Sequence, residues 1–216
     1  MNIQDSIIFF MEILGTIAFA ASGAMVGIRK QMDIFGICVL GVVTAVGGGM
    51  TRDVILGKLP SALEKPVYVV VSVITSLAIF VLLYIKHDLL SGRLGTFYDK
   101  AMLIMDSVGL GIFTSLGVMS GIDNGYPDNS FLLVFIGMLT GVGGGLMRDM
   151  MAGEETYIFV KHIYACASLV GALGCVWIFR EWGRLPAVFI GAFIVMAIRF
   201  LAAHYRWNLP HPKSSS

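Results

Sequence analysis

Gly41-Val42-Val43-Thr44-Ala45-Val46-Gly47-Gly48-Gly49-Met50-Thr51-Arg52-Asp53-Val54-Ile55-Leu56-Gly57 sets three consecutive glycines inside an apolar run and follows them with an Arg-Asp pair. The same skeleton returns as Gly137-x-x-Thr140-x-x-Gly143-Gly144-Gly145-x-x-Arg148-Asp149-x-x-x-Gly153, an offset of 96 (137 − 41). The flanking segments repeat as well. Met11-Glu12-x-x-Gly15-x-x-x-Phe19-x-x-x-Gly23-x-x-x-Gly27 returns as Met105-Asp106-x-x-Gly109-x-x-x-Phe113-x-x-x-Gly117-x-x-x-Gly121, and Lys65, Tyr68 and Ser72 return as Lys161, Tyr164 and Ser168. Self-similarity on this scale decides the architecture.

The chain of 216 residues is 57% hydrophobic and only 13% charged. A soluble domain carries about 25% charge. A helix crosses the hydrocarbon core with about 20 apolar residues. Seven such runs stand out: 7–28, 34–57, 67–85, 101–122, 131–153, 163–179 and 186–203. The sequence therefore predicts an all-α membrane protein of seven transmembrane helices. Each repeat holds three helices, an odd number, so the second must enter from the opposite face. That is an inverted repeat, a construction of many transporters. The expected units are residues 1–90, residues 91–180 in inverted topology, a seventh helix at 181–208 and a disordered tail at 209–216.

Lys and Arg set orientation. With the N-terminus on side A, that side receives Arg52, Lys58, Lys65, Arg180 and Arg184. Side B receives Arg29, Lys30, Lys86, Arg93, Lys100, Arg148, Lys161, Arg199, Arg206 and Lys213, ten against five. The excess predicts an N-terminus outside and a cytoplasmic C-terminus in a multi-pass plasma (inner) membrane protein. Met1 to Ser6 lacks the basic start of a signal peptide, so the first run is read as a retained helix. A net charge of +1 offers no field for nucleic acid.

Glycine costs about 1 kcal/mol of helix propensity relative to Ala, so three in a row predict a kinked or unwound helix at Gly47–Gly49 and at Gly143–Gly145. Two readings stand. Freed carbonyls line a hydrated path, or small residues let helices pack closely. Arg52-Asp53 and Arg148-Asp149 lie within the membrane if their helices run on to Gly57 and Gly153, and otherwise end them at the interface. Intramembrane charge marks a pathway when paired or hydrated. Glu12 and Asp106 sit on glycine-bearing faces, as cation-attracting carboxylates or as structural counter-ions. Ser22, Thr44, Thr51 and Thr140 offer oxygens to a polar path, or bond back to their own helices. Lys65 and Lys161 precede the third helix of each half, as interfacial anchors or as gating or lipid-contact residues. Cys38, Cys166 and Cys175 show no metal or redox spacing. No hydrolase, Walker or dinucleotide motif occurs, so no enzyme, metal or cofactor is expected.

Gly15-Thr16-x-Ala18-Phe19-Ala20-x-Ser22-Gly23-Ala24, with Thr44-Ala45-x-Gly47-Gly48-Gly49-x-x-Arg52-Asp53-x-x-Leu56-Gly57-x-x-Pro60 and the ending Arg199-Phe200-Leu201-Ala202-Ala203-x-Tyr205-x-Trp207-x-Leu209-Pro210, resembles the prokaryotic trimeric intracellular cation channel family, also catalogued as putative glycine transporters. The resemblance implies a homotrimer with a pore in each protomer, helices kinked at the glycine triplets, and K+ permeating ahead of Na+. A small-solute transporter, for instance of glycine, is the alternative. One departure stands out: Glu154-Glu155-Thr156 replaces the proline that would match Pro60.

Overall fold

The computed structural model describes residues 3–85, 93–154 and 163–207, with the side chains of 93–97 outside the description. Among the described residues eight helices follow one another: α1 (Ile3–Arg29), α2 (Ile34–Ile55), α3 (Ser61–Glu64), α4 (Val67–Ile85), α5 (Arg93–Asp123), α6 (Ser130–Met151), α7 (Tyr164–Trp182) and α8 (Arg184–His204). No strand occurs among the described residues. All but α3 are long and apolar enough to cross a bilayer. The tail at 209–216 and Lys161 lie outside the described residues.

The two largest departures from the sequence reading are at α5 and α3. Helix α5 starts at Arg93, two turns before the expected Ala101. A window of apolar residues finds the membrane-crossing part of a helix, and hydrogen bonding continues past it into the polar Thr96–Lys100 stretch. The short α3 was not expected, because its Ser61-Ala62-Leu63-Glu64 is too brief to show a period.

Helices α2 and α6 start alike. Asp33 accepts a bond from the Gly36 amide at 2.7 Å, and Asn129 from the Leu132 amide at 3.1 Å, so each side chain satisfies an orphan N–H of the first turn. They also end alike. Gly57 (φ 71°) and Gly153 (φ 60°) adopt the left-handed conformation. Lys58 N–H then donates to the Asp53 carbonyl at 3.0 Å, and Glu154 N–H to the Asp149 carbonyl at 3.0 Å. Both are Schellman turns, which glycine closes without a Cβ penalty.

Packing follows the repeat. Helix α1 lies against α2 and α4, as α5 lies against α6 and α7. The halves meet through α1 on α5 and α2 on α6, and α8 covers α5 and α7. Phe19 and Phe113, equivalent residues, stack on each other at 5.4 Å between centroids. A Cβ on Gly23 would fall 2.9 Å from the Gly41 Cα, and one on Gly117 would fall 2.9 Å from the Gly137 Cα. Each half therefore seats its first helix on its second through the same pair of glycines. Helix α4 buries Tyr68, Ser72, Ser76 and Leu83 and leaves Val70, Ile74, Val81 and Leu82 exposed. The hydroxyls of Tyr68, Ser72 and Ser76 face protein and these aliphatics face outward, the arrangement expected where the surrounding medium is hydrocarbon.

The glycine triplets are not unwound. Both lie inside continuous α-helix. Their role in the structure is steric. A Cβ on Gly48 would collide with the Thr140 carbonyl oxygen, and one on Gly144 with the Thr44 carbonyl oxygen. The missing side chains let α2 and α6 touch backbone to backbone, and that contact offsets the helix propensity lost. Because the ladder survives, the carbonyls are not released to solvate an ion, which was the expectation attached to unwinding.

Candidate functional site

Two clusters of charge sit at equivalent places, one per half. In the second half the last turn of α6 supplies Arg148 and Asp149, α5 supplies Asp106, and α1 supplies Ser22. Arg148 is 3% exposed. Its Nη1 donates to Asp106 Oδ1 at 2.6 Å and to Ser22 Oγ at 2.6 Å, and its Nε donates to Asp149 Oδ1 at 2.8 Å. From α8, Arg199 donates to Asp106 Oδ2 at 3.4 Å and lies over the Tyr164 ring, 4.7 Å from its centroid. The Tyr164 hydroxyl reaches Asp106 Oδ1 at 3.4 Å. Two guanidinium groups thus face two carboxylates, all of them buried. Charges removed from water cost several kcal/mol each unless matched in this way.

In the first half the partners are the counterparts, but the wiring differs. Arg52 Nε donates to Asp53 Oδ1 at 2.7 Å. The other oxygen, Oδ2, accepts from the Ser61 amide at 2.8 Å and the Ser61 hydroxyl at 2.9 Å. The Tyr68 hydroxyl donates to Glu12 Oε2. Lys58, just past the Schellman turn, places Nζ 3.4 Å from Asp53 Oδ1 and 3.4 Å from Ser120 Oγ. Glu12, Arg52, Asp53, Ser61 and Tyr68 then line a cavity of about 50 Å³ together with Thr16, Gly49 and Phe113. One water centre needs about 10–15 Å³, so this space, with its carboxylates and hydroxyls, accommodates water or a small cation. Among the described residues, no helix equivalent to α8 stands in the first half.

The structure brings together Glu12, Arg52 and Asp53 around this cavity, and Ser22, Asp106, Arg148 and Asp149 around the buried cluster. It does not free the threonine hydroxyls for a path. Thr44 donates to the Leu40 carbonyl at 2.6 Å, Thr140 to the Ile136 carbonyl at 2.6 Å, and Thr51 to the Gly47 carbonyl at 2.9 Å. Each bonds back to its own helix, and a buried hydroxyl without another partner takes that bond by default. Lys65 is exposed at the end of α3.

Sequence reasoning missed Lys58, Ser61 and Arg199. The recurrence of Tyr68 as Tyr164 was visible, and it was the available signal that these tyrosines accompany Glu12 and Asp106. Lys58 and Ser61 lie in a turn that looked like an ordinary interhelical loop. Arg199 sits in an apolar run, where a lone arginine signals a buried partner.

Residues 9–84 and 103–180 match the family described as Glycine transporter, and these segments run from α1 to α4 and from α5 to α7. A UPF0126 membrane protein of Deinococcus radiodurans is 35% identical over 205 residues, covering 93% of this chain and 90% of that one. The UPF0126 inner membrane protein YadS of Escherichia coli K12 is 35% identical, covering 95% of each chain. Among solved structures, a TRIC cation channel studied for the basis of its conductance aligns with TM-score 0.82 at 32% identity, over 96% of this chain and 98% of its own. The TRIC trimeric intracellular cation channel orthologue from Rhodobacter sphaeroides aligns with TM-score 0.82 at 28% identity, over 94% of this chain and 100% of its own.

Proposed function

This chain belongs to the family described as Glycine transporter, is similar to UPF0126 membrane proteins and shares its fold with TRIC cation channels, and on that premise we propose that it conducts monovalent cations through a path inside each protomer. The carrying observation is the carboxylate-lined cavity at the first-half cluster, where Glu12 and Asp53 lie among predominantly apolar spans. Carboxylates in such a place attract cations and replace part of their hydration. K+ is the proposed preferred ion and Na+ the weaker one. The two inverted halves flank the path, and the second half, with every charge matched, forms its rigid wall. We propose a homotrimer in the plasma membrane of a prokaryote, with the N-terminus outside on the distribution of Lys and Arg.

Planar-bilayer recording of purified protein tests this reading. The expected result is K+ current that falls on E12Q substitution. Electrically silent, folded protein overturns it.

The family's description favours a second reading, carriage of glycine. The same cavity offers a carboxylate for an amine and Arg52 for a carboxylate. Saturable glycine uptake into proteoliposomes, with no current, is the outcome that selects it.

A further inference from the structure

The two halves end α2 and α6 in the same Schellman turn, and the residue after the glycine occupies the same place in each: Lys58 in the first half, Glu154 in the second. The backbones match and the charges are opposite. Glu154 turns away from its own half's cluster and meets Arg29 at 3.2 Å and Lys30 at 3.6 Å, at the end of α1. Lys58 turns inward and reaches Asp53, the carboxylate that lines the first-half cavity. Repeat symmetry alone does not call for a cation at this position.

Lys58 also differs from the other cations of the clusters. Arg148 and Arg199 are fixed inside the bundle, with side chains 4% and 3% exposed, whereas that of Lys58 is 33% exposed and Asp53 beneath it is 1% exposed. Its ammonium sits 3.4 Å from the carboxylate, longer than the 2.7–2.9 Å of a tight charge-assisted bond. Its flexible four-carbon stem hangs from a turn at the bundle surface. If the ammonium leaves, Asp53 keeps Arg52 and both Ser61 bonds, so the carboxylate stays in place.

We propose that Lys58 is a tethered cation that occupies the Asp53 site and competes there with the permeant ion. This rests on the cation-channel reading and adds a specificity-determining residue to it. An ion approaching this end of the bundle exchanges with the ammonium at Asp53, and Ser120, whose hydroxyl is within 3.4 Å, receives the displaced lysine. The tether weakens cation binding at the mouth and so sets the concentration at which current saturates.

The test compares wild type, K58Q and K58R in planar bilayers over a range of KCl. K58Q is expected to raise single-channel conductance by about twofold or more at about 50 mM KCl, where screening is weak, with the difference shrinking near 1 M. K58R, which keeps the charge, is expected to restore the lower conductance. Equal conductance of a conducting wild type and K58Q at every concentration overturns the inference and leaves the channel reading intact. Silence of all three overturns the channel reading, and a second measurement then decides about Lys58. Acylation of Lys58 by an amine-reactive reagent, followed by mass spectrometry, is expected to quicken when K+ replaces choline, which has no N–H to acylate, at constant ionic strength. A rate indifferent to the cation overturns the tethered-cation role.

Discussion

Gly48 and Gly144 lie so close across the α2–α6 crossing that a Cβ on Gly48 would stand 3.1 Å from the Gly144 amide nitrogen. The neighbours there are main chain, which has no rotamer to change. The middle of the bundle is therefore a contact between two backbones, and its geometry depends on these side chains being absent.

G48A and G144A are expected to destabilise the protein by about 1–3 kcal/mol, the usual cost of overpacking. G49A is the control. The nearest atom to its Cβ is Arg52 Nη2 at 3.7 Å, so it is expected to be neutral or stabilising by up to about 1 kcal/mol from helix propensity. Thermal unfolding in detergent measures the contrast, and equal losses at Gly48 and Gly49 would contradict the steric account.

Removing Arg148 leaves Asp106 and Asp149 as buried carboxylates without their main partner. R148M is expected to cost about 3–5 kcal/mol, the range for breaking a buried pair from one side. R52M is expected to cost about 1 kcal/mol, since Asp53 keeps Ser61 and Lys58 and the Arg52 side chain is 12% exposed. Chemical denaturation of the two variants should separate them clearly.

Tyr68 and Tyr164 are sequence equivalents with unequal duties. Y68F removes the hydroxyl that Glu12 accepts from, and Y164F removes a 3.4 Å contact to an Asp106 already held by Arg148 and Arg199. K+ conductance is expected to change by about twofold or more in Y68F and to stay within about 20% of wild type in Y164F. The reverse order of effects would place the conducting site in the second half.

E154Q cuts the links from Glu154 to Arg29 and Lys30, whose side chains are about a third exposed. Exposed pairs contribute about 0.2–1 kcal/mol and are screened by salt. The loss in melting temperature is expected to be small at low salt and absent near 1 M NaCl.

The spans were legible because lipid imposes one rule on all of them: about 20 apolar residues with every backbone group bonded internally. The pairing of halves was legible because inverted copies keep their glycines. Gly23 with Gly41 and Gly117 with Gly137 hold the same approach in both units. The state of the glycine triplets was not legible. Propensity alone favours unwinding at Gly47–Gly49, and the contact with Thr140 and Gly144 that keeps the ladder intact comes from another helix. The charged clusters were half legible. Arg148 with Asp106 follows from the cost of unpaired charge in a membrane. Arg199 and Lys58 do not, because one arrives on a helix outside the repeat and the other in a turn, and neither carries a spacing that points to its partner.

A perfect twofold axis lying in the membrane plane would oblige a conduit to pass inward and outward flow equally at equal and opposite voltages. Helix α8 packs on α5 and α7 of one half, and the mirrored turns carry a lysine in one half and a glutamate in the other. On the cation-channel reading, the scaffold is that of a reversible device whose two directions are unequal, and rectification needs no added gate.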